Sequence, residues 1–186
     1  MQSPRAWLLV AGWIVFAALL TFAVYIYLRG MRGVDDVLTP HASGRVEVGA
    51  AMPDPPLTRL DGTRISLRAY VGHPLWVNFF ATWCVPCKAE LPEIERRYKA
   101  RKGDGLVVLG LDQQEDAGLV RGFSEHFGLT YPIAIDDGAA AAVFQARTIP
   151  LSVFVDAAGT VREIRIGQMQ PEAMDLALAT ILPRGQ

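Results

Sequence analysis

The sequence predicts an α/β domain, a central mixed sheet with helices on both faces, preceded by one N-terminal transmembrane helix. Three observations predict it. From residue 57 onward, short apolar runs of strand length alternate with longer helix-patterned stretches. One long apolar stretch stands apart from these at the N-terminus. Hydrophobic residues make up 51% of the chain, too many for a disordered polymer. The 18 basic and 19 acidic residues leave a net charge of -1, which argues against a nucleic-acid binder working through a broad basic surface.

The N-terminal stretch covers residues 6–28, and apart from Gly12 and Thr21 every position in it is hydrophobic. As a helix it would be about 34 Å long, enough to cross a hydrocarbon core of about 30 Å. Trp7 lies near one end and Tyr25 and Tyr27 near the other, as interfacial aromatics do, and Arg5 and Arg29 bracket the segment. A cleaved signal peptide has an apolar region of about 7–15 residues and a small-residue cleavage site beyond it. This run is longer and its nearest such site lies inside it, so a retained anchor over 1–28 is expected. Basic residues on its two sides are balanced, so charge does not set its orientation. Residues 29–46 read as a linker with Gly30, Gly33, Gly44 and Pro40, and residues 47–186 as the folded domain.

Within that domain the elements follow in order. Residues 57–60 and a short helix near 66–70 flank the turn Asp61-Gly62. Residues 75–81 (LWVNFFA) form a run expected of a strand buried on both faces. A helix over 85–101 contains Pro92. A second buried strand covers 105–111, then come a helix over 116–127 closed by Gly128, a strand over 131–135 and a helix over 138–145. Residues 151–155 and 161–166 pair across the turn Ala158-Gly159, and Pro171 opens a last helix to about residue 182.

The chain has two cysteines and three histidines. That excludes a disulfide-dense scaffold and a four-cysteine zinc site. Cys84-Val85-Pro86-Cys87 directly follows the apolar strand and opens the next helix. A cysteine there faces unpaired backbone N–H groups and the positive end of the helix dipole, both of which favour the thiolate, the reacting form of the side chain. The second cysteine is near enough to close a disulfide. Pro86 suits the first turn because its missing N–H would have no partner, and Lys88 adds positive charge nearby. Half a zinc site or an inert structural disulfide are the competing readings; strand-CxxC-helix placement favours redox chemistry.

Here the sequence resembles a known group. Trp83-Cys84-Val85-Pro86-Cys87 looks like the active site of the thioredoxin fold, and the string from Asn78 through Pro92 is similar to the TlpA/ResA branch of membrane-anchored, outward-facing thiol-disulfide oxidoreductases of bacteria. The resemblance covers about residues 47–182. It implies a thioredoxin-like fold and no cofactor beyond a redox-active Cys84–Cys87 disulfide. It also implies a single-pass protein of the bacterial inner membrane with its domain on the periplasmic side. Its partners would be a disulfide-bearing protein substrate, in cytochrome c maturation or copper-site assembly, and a membrane electron donor of the thiol-transporting type. It places a cis-proline at Ile149-Pro150 against the active site, where backbone would pair with the partner chain beside Trp83. It also implies a proton-handling role for Glu90. Thioredoxin itself carries a buried Asp at the place of Asn78, which cannot titrate. Val85 and Pro86, between the cysteines, and Lys88 are expected to tune the site.

Three other functions compete. A related peroxidase would carry a Pro-x-x-x-Thr-x-x-Cys signature, but Ala81 stands where its threonine would be. A tethered binding module with an inert disulfide is a second. A copper chaperone is a third, but the five methionines form no soft-ligand cluster and no metal site is expected.

Overall fold

Six consecutive buried residues explain the centre of the molecule. In β3 (Leu75–Phe80), Trp76, Asn78 and Phe80 point to one face while Leu75, Val77 and Phe79 point to the other, and none reaches solvent. A strand this apolar belongs in the middle of a sheet covered on both sides. In the computed structural model, which describes residue 13, residues 17–25 and residues 45–182, β3 is third from one edge of a seven-stranded sheet ordered β2-β1-β5-β4-β3-β6-β7.

β1 (Leu57–Arg59) and β2 (Arg64–Ile65) form an antiparallel hairpin at one edge. β4 (Val107–Gln113) runs parallel to both β3 and β5 (Ile133–Asp136). β6 (Leu151–Val155) is antiparallel to β3 and to β7 (Val161–Ile166) at the other edge. The crossovers between parallel strands are helical, as parallel pairing requires: α1 (Val85–Arg101) leads from β3 to β4 and α2 (Ala117–His126) from β4 to β5. α3 (Ala139–Phe144) and α4 (Pro171–Ala179) complete the domain.

Two apolar cores result, one on each face of the sheet. Trp76, Phe80, Leu91, Ile94, Val120 and Met174 pack on the face carrying α1, α2 and α4. Val77, Phe79, Leu109, Leu67 and Phe144 pack on the other, beneath α3 and the short 3₁₀ turn Leu67–Tyr70. The Arg97 guanidinium pins α1 to α4. It reaches Asp175 at 2.7 and 2.9 Å, the Pro171 carbonyl at 2.6 Å and Glu93 at 2.6 Å, with its own side chain buried.

The predicted elements appear in the predicted order with the short strand β2 added, most ends shift by one or two residues, and three of the shifts have clear local reasons. β4 starts at Val107, not at residue 105, because Gly105 turns into the left-handed region (φ 88°) to close a 3₁₀ turn. β5 starts at Ile133 because Pro132 has no N–H to give. α4 stops at Ala179, where the Thr180 hydroxyl donates to the Ala177 carbonyl.

The chain divides into two units at residues 41 and 42. Residues 17–25 are helical and exposed. Among the described residues no helix is long and apolar enough to cross a membrane. The expected anchor over 1–28 and linker over 29–46 lie mostly outside the described residues.

Candidate active site

The site forms where β3 runs out and α1 begins. Ala81, Thr82 and Trp83 carry the chain from the strand to Cys84, the residue that caps α1. The Cys84 Sγ accepts the backbone N–H of Cys87 at 3.2 Å. It therefore lies on the first-turn amides, at the positive end of a 17-residue helix. A thiolate at this position would be stabilised by the same amide and by the helix dipole. The two sulfurs are joined in a disulfide, with the Cα atoms 5.3 Å apart. They differ in access: Cys84 keeps 3% of its surface exposed and Cys87 none. Both residues are buried, but of the two only Cys84 keeps any surface toward an incoming thiol or disulfide. Trp83, 65% exposed, and Val85, 73% exposed, stand beside it with the exposed Pro86 as an apolar rim.

The Ile149–Pro150 peptide bond is cis, as the resemblance implied. Its place follows from sheet register. Phe79 pairs with Leu151, so Pro150 lies across from the end of β3, four residues ahead of Cys84. Ile149 packs against the apolar cluster that contains Cys84 and Cys87.

Glu90 is not a solvated helix glutamate. One turn beyond Cys87, it is 2% exposed, and its carboxylate is held from two directions. Oε1 accepts from Asn78 Nδ2 at 3.0 Å and Oε2 from the Met169 backbone N–H at 3.1 Å. Burial pushes its pKa up to about 7, and the two hydrogen bonds only partly offset that rise. Asn78 Nδ2 also donates to Ser152 Oγ at 3.1 Å, and Ser152 Oγ accepts from Trp76 Nε1 at 2.9 Å. Sheet register makes this network, because Asn78 of β3 and Ser152 of β6 are direct cross-strand partners.

Three residues of the site went unnoticed in the sequence. Ser152 belongs to a fully buried strand, where a lone hydroxyl is itself a signal. Asp112 lies near the carboxyl end of β4 and Glu115 just beyond it. Glu115 accepts from the Thr82 backbone N–H at 2.5 Å and the Thr82 hydroxyl at 2.6 Å. Lys88, in the first turn of α1 after Cys87, is half-buried, and its charge also acts on Glu115.

Comparison with known proteins joins this geometry to a family. The model of the AhpC/TSA family matches residues 48–164. The chain belongs to the AhpC/TSA family. Within it, the thiol-disulfide oxidoreductase ResA of Geobacillus kaustophilus is 34% identical over 139 residues, covering 74% of this chain and 80% of the relative. A thiol:disulfide interchange protein of the thioredoxin family from Chlorobium tepidum superposes with a TM-score of 0.66 at 25% identity, covering 74% of this chain and 99% of that one. StoA from Bacillus subtilis gives 0.57 at 26%, covering 70% and 98%. The chain is a ResA-like thiol-disulfide oxidoreductase with a CxxC redox pair on a thioredoxin-like fold.

Proposed function

We propose that this protein is a membrane-tethered reductase of disulfides in extracytoplasmic proteins, of the kind that cytochrome c maturation or copper-site assembly requires. The Cys84 thiolate attacks one sulfur of the partner's disulfide. That S–S bond breaks, a mixed disulfide forms, and the partner's other sulfur leaves as a thiolate that takes up a proton. Cys87, deprotonated by Glu90, then attacks the Cys84 sulfur and expels the partner's second thiolate. Two electrons pass to the partner and Cys84–Cys87 is left oxidised. A membrane electron donor of the thiol-transporting type reduces it again.

The observation that carries this reading is the unequal access of the two sulfurs above a buried acid. Cys84 alone meets solvent, Cys87 lies sealed behind it, and Glu90 follows one helical turn on with its pKa raised to about 7. A group titrating there can take a proton from a neighbouring thiol and return it in the next cycle. The exposed Trp83, Val85 and Pro86, together with the backbone at Ile149-Pro150, receive the partner chain. The apolar stretch 6–28 is the tether, with the domain on the periplasmic side of the bacterial inner membrane.

Cys87→Ser, expressed in cells, is expected to accumulate mixed disulfides through Cys84 with extracytoplasmic proteins. Absence of any adduct would overturn the exchange route. A midpoint potential of about -120 mV, that of a strong oxidant, would overturn the reducing direction.

A further inference from the structure

Asp112 is a buried carboxyl that the exchange steps do not use. It ends the apolar part of β4, with Phe80 of β3 on one side and Ile135 of β5 on the other, and none of its surface reaches solvent. Its Oδ1 accepts the Glu115 backbone N–H at 3.0 Å, while its Oδ2 has no hydrogen-bond partner. An ionised carboxylate with a bare buried oxygen is costly. A protonated Asp112 removes that cost, because the Glu115 carboxylate is next to it as an acceptor.

Glu115 faces the other way as well. Both of its oxygens are taken by Thr82, one by the backbone N–H and one by the hydroxyl. Thr82 is the second residue before Cys84. The chain Asp112, Glu115, Thr82 therefore runs from the core of the sheet to the residues that set down the reacting cysteine.

We propose that Asp112 is a positioning residue for disulfide exchange: as an un-ionised acid it donates a hydrogen bond to Glu115, which clasps Thr82 and so fixes the entry of the chain into Trp83 and Cys84. When Asp112 loses its proton, two carboxylates stand side by side before α1. The clasp loosens, and the added negative charge disfavours the Cys84 thiolate. Burial first, and the hydrogen bond and charge of Glu115 next, raise the Asp112 pKa to about 7, so the device works in the neutral range. Glu115 stays ionised: burial acts to raise its pKa, but the Thr82 and Asp112 hydrogen bonds and the Lys88 charge outweigh it.

Arg59, Arg64 and Asp137 line a groove together with Glu115 and Asp116, and several charged groups of α1 and α2 have partners. Lys88 of α1 acts on Glu115, and Glu90 of α1 is held by Asn78 and Met169. Asp116, at the start of α2, accepts from the Gly118 and Leu119 amides, and Arg121 of α2 donates to the Leu60 carbonyl.

The inference rests on Cys84 being the attacking thiol. The test is the pH dependence of Cys84 alkylation by iodoacetamide in the reduced full-length protein, with the labelled residue identified by mass spectrometry. Glu90 titrates in the same range, so Glu90→Gln is the reference. Its rate should rise in two steps, one of them near neutrality. Adding Asp112→Asn, which still donates to Glu115 but cannot ionise, should leave a single ionisation and a severalfold faster reaction at pH 8. Glu115→Gln in the same reference removes the charge that helps keep the proton on Asp112, and should move the neutral step to lower pH. This second variant decides the matter if Asp112→Asn does not fold. Labelling at Cys84 with the neutral step unchanged in both variants would overturn the proposal alone. Labelling at Cys87 would overturn it together with the attacking role of Cys84.

Discussion

Asn78 Nδ2 donates to Glu90 Oε1 at 3.0 Å, joining the central strand to the helix that carries the cysteines. Where thioredoxin places an acid in the strand, this chain places an amide there and puts the acid on the helix, one turn past Cys87. The amide binds the carboxylate but leaves it in an apolar core, so burial decides its proton affinity.

That raised pKa makes stability fall with pH. Glu90 has an ordinary value of 4.5 when unfolded and about 7 in the native site. Between those values the native state holds a proton that the unfolded state has lost, so folding stability is full below pH 4.5 and declines as pH rises to about 7. A shift of this size corresponds to roughly 3 kcal/mol at most. Urea melts at pH 5 and pH 8 should show the loss, and Glu90→Gln should shrink the difference between them. An equal difference in the variant would assign the effect elsewhere.

Asn78→Asp restores the thioredoxin acid without removing Glu90. Two carboxyls in buried hydrogen-bond contact cannot both ionise at neutral pH, so the pair keeps one proton to higher pH. The rate at which Cys87 resolves a preformed Cys84 mixed disulfide should then show its inflection at least about one pH unit higher. A profile that overlays the parent would mean that Glu90 does not serve Cys87.

How much of this was legible in the sequence depends on the kind of signal. β3, β4 and α1 were readable because burial on two faces leaves an apolar run and a helix leaves its own period. Cys84 and Cys87 stood out through their placement between strand and helix. The carboxyl network did not, because it is made by register. Ser152 meets Asn78 only once β6 lies antiparallel to β3, and Glu115 reaches Thr82 across 33 positions of chain. The two-residue strand β2 was missed because Arg64 and Ile65 are too short a run to show alternation. Lys88 was legible by its proximity in sequence to the cysteines, but its action on Glu115 was not, because Glu115 follows a different strand.

The Arg97 clasp gives a prediction independent of the chemistry. Its guanidinium is buried between α1 and α4 and answers Asp175, Glu93 and the Pro171 carbonyl together. Arg97→Met keeps much of the stem's packing and removes every one of these bonds. Because Asp175 and Glu93 are themselves partly exposed, they can return to water, and the loss should be about 2 kcal/mol, below that for a fully buried pair. Denaturant unfolding of the variant measures it, and a change under about 0.5 kcal/mol, that of an ordinary surface substitution, would show that the clasp contributes nothing.

Gly110 tests the packing beneath the site. It lies in β4 directly opposite Asn78, and a Cβ there would come 3.1 Å from Phe80, 3.2 Å from Tyr131 and 3.3 Å from Ile133. All three neighbours are buried, so the ring of Phe80 has little room to yield. Phe80 is also the residue at the end of β3 from which the chain departs toward Cys84. Gly110→Ala should therefore cost about 1–3 kcal/mol in unfolding. It should also lower the exchange rate at a pH and temperature where the variant is still folded, because the shift needed to admit one methyl group is passed along β3 to the start of α1. A variant that lost stability yet kept the parent rate would show that the strand end and the cysteine helix are mechanically independent.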